Sequence, residues 1–116
     1  MRYYITIVVL LVTLSGFGQG KTKATQDIQF KETLYSKYKR EVLAFSKKDY
    51  DALFFEFMEK QNDAKITLTK EQYYTYTIKI AIYAEKLGLL YKDQKQEAQR
   101  TKQQWFDRNY QDYLQR

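Results

Sequence analysis

Glu56, Glu59 and Asp63 are spaced at i, i+3 and i+7, which sets three carboxylates along one side of a helix and its exit. Paired carboxylates can divide the acid and base roles of glycoside cleavage, and clustered ones can hold calcium. The same spacing also makes a solvated acidic face opposite an apolar stripe. Calcium asks for about six or more oxygens, more than one helix presents, so the acidic face is the expected role. Asp93 and Glu97 are interleaved with Lys92 and Lys95, the pattern of surface charge pairing. Tyr73, Tyr74 and Tyr76, with lysines nearby, carry rings that could stack on bases or sugars. At helical spacing they suit a core better, with their hydroxyls at its rim.

The missing residue types exclude more than the present ones suggest. The chain has no histidine and no cysteine, which removes the imidazole base, thiol nucleophiles, zinc–thiolate sites and redox motifs. No glycine-rich loop is available to bring backbone amides up to a phosphate. The expectation is a protein without catalytic residues, cofactor or metal.

The elements that must position these residues are helical. Proline is absent, and Gly88 is the only glycine beyond Gly20, so the main helix breakers are nearly gone. Phe30, Leu34, Tyr38, Val42 and Phe45 form one helical stripe, which predicts a first helix over 27–45. Ser46 and Asp49 fit a capping box opening a second helix to about residue 60 or 62, with Tyr50, Leu53, Phe54, Phe57 and Met58 inward. Whether these two helices are separate or one kinked rod stays open at this level.

Thr69 and Gln72 form a cleaner capping box for a third helix over 70–87. That helix carries two apolar stripes, Tyr73, Tyr76, Ile80, Ala84 and Leu87, and Tyr74, Ile78 and Ile82. An element apolar on two faces is either the centre of its domain or shows one face to a partner. Gly88 is the expected left-handed stop after it. A last helix is expected from Leu89 to Leu114, polar over 92–104 and apolar again at Trp105, Phe106, Tyr110, Tyr113 and Leu114. The polar half reads as a solvated face or as an arm projecting from the body.

The amino-terminal segment is a leader by composition. Met1 and Arg2 precede an uncharged apolar stretch over 3–14, and Gly16 and Gly18 supply the small-x-small pattern of a signal-peptidase site. Cleavage is expected after Gly18, with Gly20 the second choice. The stretch is shorter than the ~20 residues of a spanning helix, which favours a cleaved leader over a retained anchor. No cysteine follows to accept a lipid. The expected organisation is a signal peptide at 1–18, a flexible lead-in at 19–26 and one all-α domain at 27–116, a bundle or paired α-hairpins of three to four helices.

The net charge is +6, but basic residues alternate with acidic ones and make no dense patch, so the charge serves solubility and does not point to nucleic acid. Leu68, Thr69, Lys70, Glu71 and Gln72 match the LTxxQ signature and so resemble the Spy/CpxP-type periplasmic chaperones, which are small, basic, exported and all-helical. That resemblance implies a holdase for unfolded envelope proteins. Leu87 to Tyr91 and Asp49 to Leu53 look like fragments of tetratricopeptide helices, without completing a 34-residue unit. The leading expectation is a non-enzymatic interaction module of the periplasm or cell envelope. It would bind protein partners through Tyr74, Ile78, Ile82, Trp105 and Phe106, keep no membrane span after cleavage, and be able to self-associate.

Overall fold

The computed structural model describes residues 19–116, with side chains from Thr25 onward. The leader assigned to residues 1–18 lies outside the described residues. These are all-helical, with five α-helices, one 3-10 turn and no strand among them. The chain divides into two compact units, Met1–Phe30 and Lys31–Arg116; the packing below is that of the second.

The helix α1, Gln19–Leu43, takes in residues 19–26, expected as a flexible lead-in. Neither proline nor any glycine after Gly20 interrupts it. In the second unit its stripe is inward as the spacing predicts: Leu34 and Val42 are buried and Tyr38 half-buried. Residues 44–46 break the chain and make the next helix a separate element. That helix, α2, is Lys47–Asn62, opened by the predicted capping box. The Ser46 hydroxyl accepts from the Asp49 N–H at 3.1 Å, and the Asp49 carboxylate accepts from the Ser46 N–H at 2.9 Å.

Thr69 and Gln72 open α3, Lys70–Leu90, through the same reciprocal pair. The Gln72 N–H donates to the Thr69 hydroxyl at 3.1 Å, and the Thr69 N–H to the Gln72 amide oxygen at 2.9 Å. The LTxxQ stretch is thus occupied in starting this helix. As its two stripes predict, α3 is the most buried element, with Tyr73, Tyr74, Thr77, Ile78 and the run from Ile80 to Ala84 inside.

Gly88 does not end α3. The helix runs through it to Leu90, and no glycine among the described residues has a positive φ. Its role is close approach: a Cβ built on Gly88 would stand 3.0 Å from the Ala98 Cβ. After α3 the chain turns through the 3-10 segment Lys92–Gln94 into α4, Lys95–Phe106. The polar stretch is therefore neither a free arm nor wholly solvated, because Ala98 seats it on α3. The expected continuous last helix is broken after Phe106. Asn109 caps a short α5, Tyr110–Leu114, by accepting the Gln111 N–H at 2.7 Å. Asn side chains favour such caps over helix interiors, which accounts for five helices where three to four were expected.

Rings hold α2, α3 and α4 together. Tyr50 stacks on Tyr83 at 4.1 Å between centroids, and Phe57 meets Tyr76 at 5.4 Å, so α2 runs antiparallel to α3. Trp105 of α4 sets its ring against Phe54 and Phe57 at 6.0 and 5.9 Å. Each buried aromatic removes ~150–250 Å² from water, which supplies a cysteine-free chain with the core area it needs. Against α3, α1 adds an ion pair, Glu41 to Lys79 at 3.1 Å, with the same ammonium 4.5 Å above the Tyr38 ring.

Candidate functional site

Of the three carboxylates on α2 and at its exit, Glu56 and Asp63 have separate local partners. Glu56 pairs with Lys60 at 3.0 Å, and Lys60 also donates to the Tyr76 hydroxyl at 3.0 Å. Hydrogen bonds from Lys60 and then Tyr76 hold the Glu56 carboxyl below the usual carboxylate range, the opposite of what a general acid requires. Glu59 is exposed, and Asp63 caps the turn leaving α2 by accepting the Lys65 N–H at 2.8 Å. Among the described residues no three His, Cys, Asp or Glu side chains gather where an ion could sit.

Of the tyrosines at the start of α3, Tyr73 and Tyr74 are buried and Tyr76 is half-buried. Tyr73 stacks on Tyr113 at 4.7 Å, and Tyr110 lies 5.9 Å from Tyr73. The hydroxyls complete a clasp. The Leu68 N–H donates to the Tyr113 oxygen at 2.8 Å, the Tyr110 hydroxyl donates to the Leu68 carbonyl at 2.7 Å, and the Tyr110 N–H donates to the Tyr74 oxygen at 3.0 Å. Two side chains of α5 thereby satisfy both backbone groups of Leu68, a buried residue. Burial pushes the Tyr73 hydroxyl pKa up.

Beside the clasp lies a cleft of about 630 Å³ between the exit of α2 and the carboxy-terminal residues. Its arginines are engaged. Arg116 donates to the carbonyls of Gln61 at 2.8 Å, of Asp63 at 3.1 Å and of Ile66, and lies 4.1 Å from the centre of the Tyr113 ring. It thus ties the carboxy-terminal residue to the end of α2 and its exit loop, where helix-end carbonyls lack intrahelical donors; the Asp63 carbonyl also accepts the Ile66 N–H at 3.1 Å. Arg108 lies over Trp105 at 3.9 Å.

The residues expected to meet a partner are placed as follows. Tyr74, Ile78 and Ile82 are fully buried, so this face of α3 is core and not an open docking surface. Trp105 and Phe106 are half-buried. Trp105 is committed to Phe54, Phe57 and Arg108, and Phe106 faces Tyr35 at 6.3 Å and the buried Lys31 ammonium at 5.6 Å. Lys31 also lies 5.0 Å over the Tyr74 ring, a cation–π arrangement that lets an ammonium enter an aromatic environment.

The open apolar surface is elsewhere. At the turn joining α3 to α4, Leu89, Leu90 and Tyr91 are 66, 60 and 52% exposed. Three consecutive large apolar residues lead into the exposed Lys92, Asp93 and Lys95. The signal was present in the sequence: successive helical residues are ~100° apart, so three in a row cannot all face one core. Reading Gly88 as a helix stop hid it by placing all three at the start of a new helix.

No family model, curated protein or solved structure matches the chain. No helix among the described residues is long and apolar enough to cross a membrane.

Proposed function

We propose that the chain is an exported, non-enzymatic interaction module of the periplasm or cell envelope, acting by contact through the apex of the α3–α4 hairpin. The observation that carries this reading is the exposure of Leu89, Leu90 and Tyr91 on an otherwise well-packed hairpin. Clustered apolar exposure marks contact surfaces, whereas single exposed apolar residues need no explanation. The leader composition of residues 1–18 supports export. The absence of histidine and cysteine from the sequence supports a role without catalysis.

The test is a photo-crosslinking phenylalanine analogue at Leu90, with the exposed Lys39 on α1 as the control site, in cells expressing the full chain. A discrete adduct specific to Leu90, recovered from the envelope fraction, supports the reading. Equal yields at the two sites, or a wholly cytoplasmic product, overturn it. The alternative is a Spy/CpxP-like holdase, supported by further exposed apolar residues, Phe55, Ile66 and Leu114, on a basic chain. It predicts many unrelated adducts at both sites, diminished by salt.

A further inference from the structure

We propose that the α3–α4 apex seats on an anionic bilayer surface, with Leu89, Leu90 and Tyr91 entering the interface and Lys92 and Lys95 meeting lipid headgroups. This rests on the preceding reading of the apex as the contact surface and names its partner.

Three features select this occupant. The first is size. Three partly exposed side chains offer a few hundred Å², well short of the ~800 Å² per partner of a stable protein interface. A second copy of the chain would therefore gain too little, and would bring Lys92 and Lys95 against their own counterparts. A bilayer needs no matching surface, and shallow burial of a few apolar side chains is how peripheral elements hold to it.

The second is chemistry. Two leucines supply apolar depth, and tyrosine is a residue enriched where membrane meets water, its ring apolar and its hydroxyl wet. Lys92 and Lys95 follow at once and are exposed, against Asp93 as the acid of that turn. Lysines in this position are attracted by anionic headgroups.

The third is the local field. The apex joins the carboxy-terminal end of α3 to the amino-terminal end of α4, so opposite helix-dipole ends meet there and largely offset one another. The side-chain charges of the turn then set the sign of the apex.

The absence of cysteine makes the test specific. Leu90→Cys and, as control, Lys39→Cys each introduce a unique thiol for an environment-sensitive fluorophore, in the exported form purified from the expressing cell. The probes are vesicles of mixed phosphatidylglycerol and phosphatidylcholine, and of phosphatidylcholine alone. The expected result is a blue shift at Leu90 on the mixed vesicles, absent on phosphatidylcholine alone and absent at Lys39. Adding Lys92→Gln and Lys95→Gln should weaken apparent vesicle affinity by about 25-fold, at roughly fivefold per lysine. No shift at Leu90 on mixed vesicles, or an equal shift on neutral ones, overturns the assignment. If vesicles leave Leu90 unchanged while its crosslinker gives one discrete protein adduct, the bilayer is wrong and the interaction module stands. If neither responds, both fail.

Discussion

Replacing Gly88 by alanine sets two effects of known sign against each other. Gly88 lies inside α3 with an ordinary helical backbone, so alanine there gains about 1 kcal/mol of helix propensity. The new Cβ would stand 3.0 Å from the Ala98 Cβ, whereas carbon atoms pack best at about 3.5–4.0 Å. Neither methyl can rotate away, since each is fixed to its backbone, and the helices must part by roughly 0.5–1 Å to restore that spacing. Overpacking of this kind costs about 1–3 kcal/mol, leaving a net loss centred near 1 kcal/mol, or a melting temperature lower by about 4–8 °C for a domain of this size. In an Ala98→Gly background the clash is gone, and Gly88→Ala should stabilise by about 1 kcal/mol through propensity alone. Thermal unfolding of the four proteins of this cycle, followed by circular dichroism, measures both signs. A left-handed cap at residue 88 would instead give a loss independent of residue 98. The same loss in both backgrounds, or a gain in the wild-type background, refutes the close-approach argument.

Tyr113→Phe removes the hydroxyl that accepts the Leu68 N–H and should cost about 1–3 kcal/mol in urea unfolding, as a buried donor loses its partner, with faster hydrogen exchange at the Leu68 amide. Phe57→Ala empties a fully buried site between Trp105, Tyr73 and Tyr76 and should cost about 3–5 kcal/mol, visible as a strongly lowered unfolding midpoint. Burial raises the hydroxyl pKa of Tyr35, Tyr50, Tyr73 and Tyr76 above the ordinary tyrosine value of 10.0, and Glu85 raises Tyr35 further. The unfolded chain therefore releases these protons first, and stability present below about pH 10 should be lost as pH rises above it. Tyrosinate absorbance should then climb together with loss of helicity; free titration of all tyrosines in a still-folded chain would contradict this. Leu89→Asp with Leu90→Asp should leave stability within about 0.5 kcal/mol, as expected for exposed side chains, while abolishing the Leu90-dependent contact.

Both capping boxes, the helical class and the central place of α3 were legible in the residue order. Each depends on neighbours within one or two turns: a hydroxyl three residues before an amide it can accept from, an apolar side chain recurring every three or four positions, an absence of breakers. Ser46 with Asp49 and Thr69 with Gln72 could be paired with no knowledge of the rest of the chain. What the second face of α3 would meet could not, because Tyr74, Ile78 and Ile82 are equally consistent with a core and with a docking surface until other helices are placed. Gly88 carried the same ambiguity. A glycine near the end of an apolar stripe marks either a left-handed stop or a close crossing, and only the position of Ala98 on another helix distinguishes them. That choice also decided which way Leu89, Leu90 and Tyr91 face. The carboxy-terminal clasp was decided by tertiary structure for the same reason: Tyr110 and Tyr113 have helical spacing to each other, but nothing local relates them to the backbone of Leu68, more than forty residues away. Local hydrogen bonding and periodicity are written along the chain, whereas the meeting of distant segments is settled only when the packed volume is shared out among all of them.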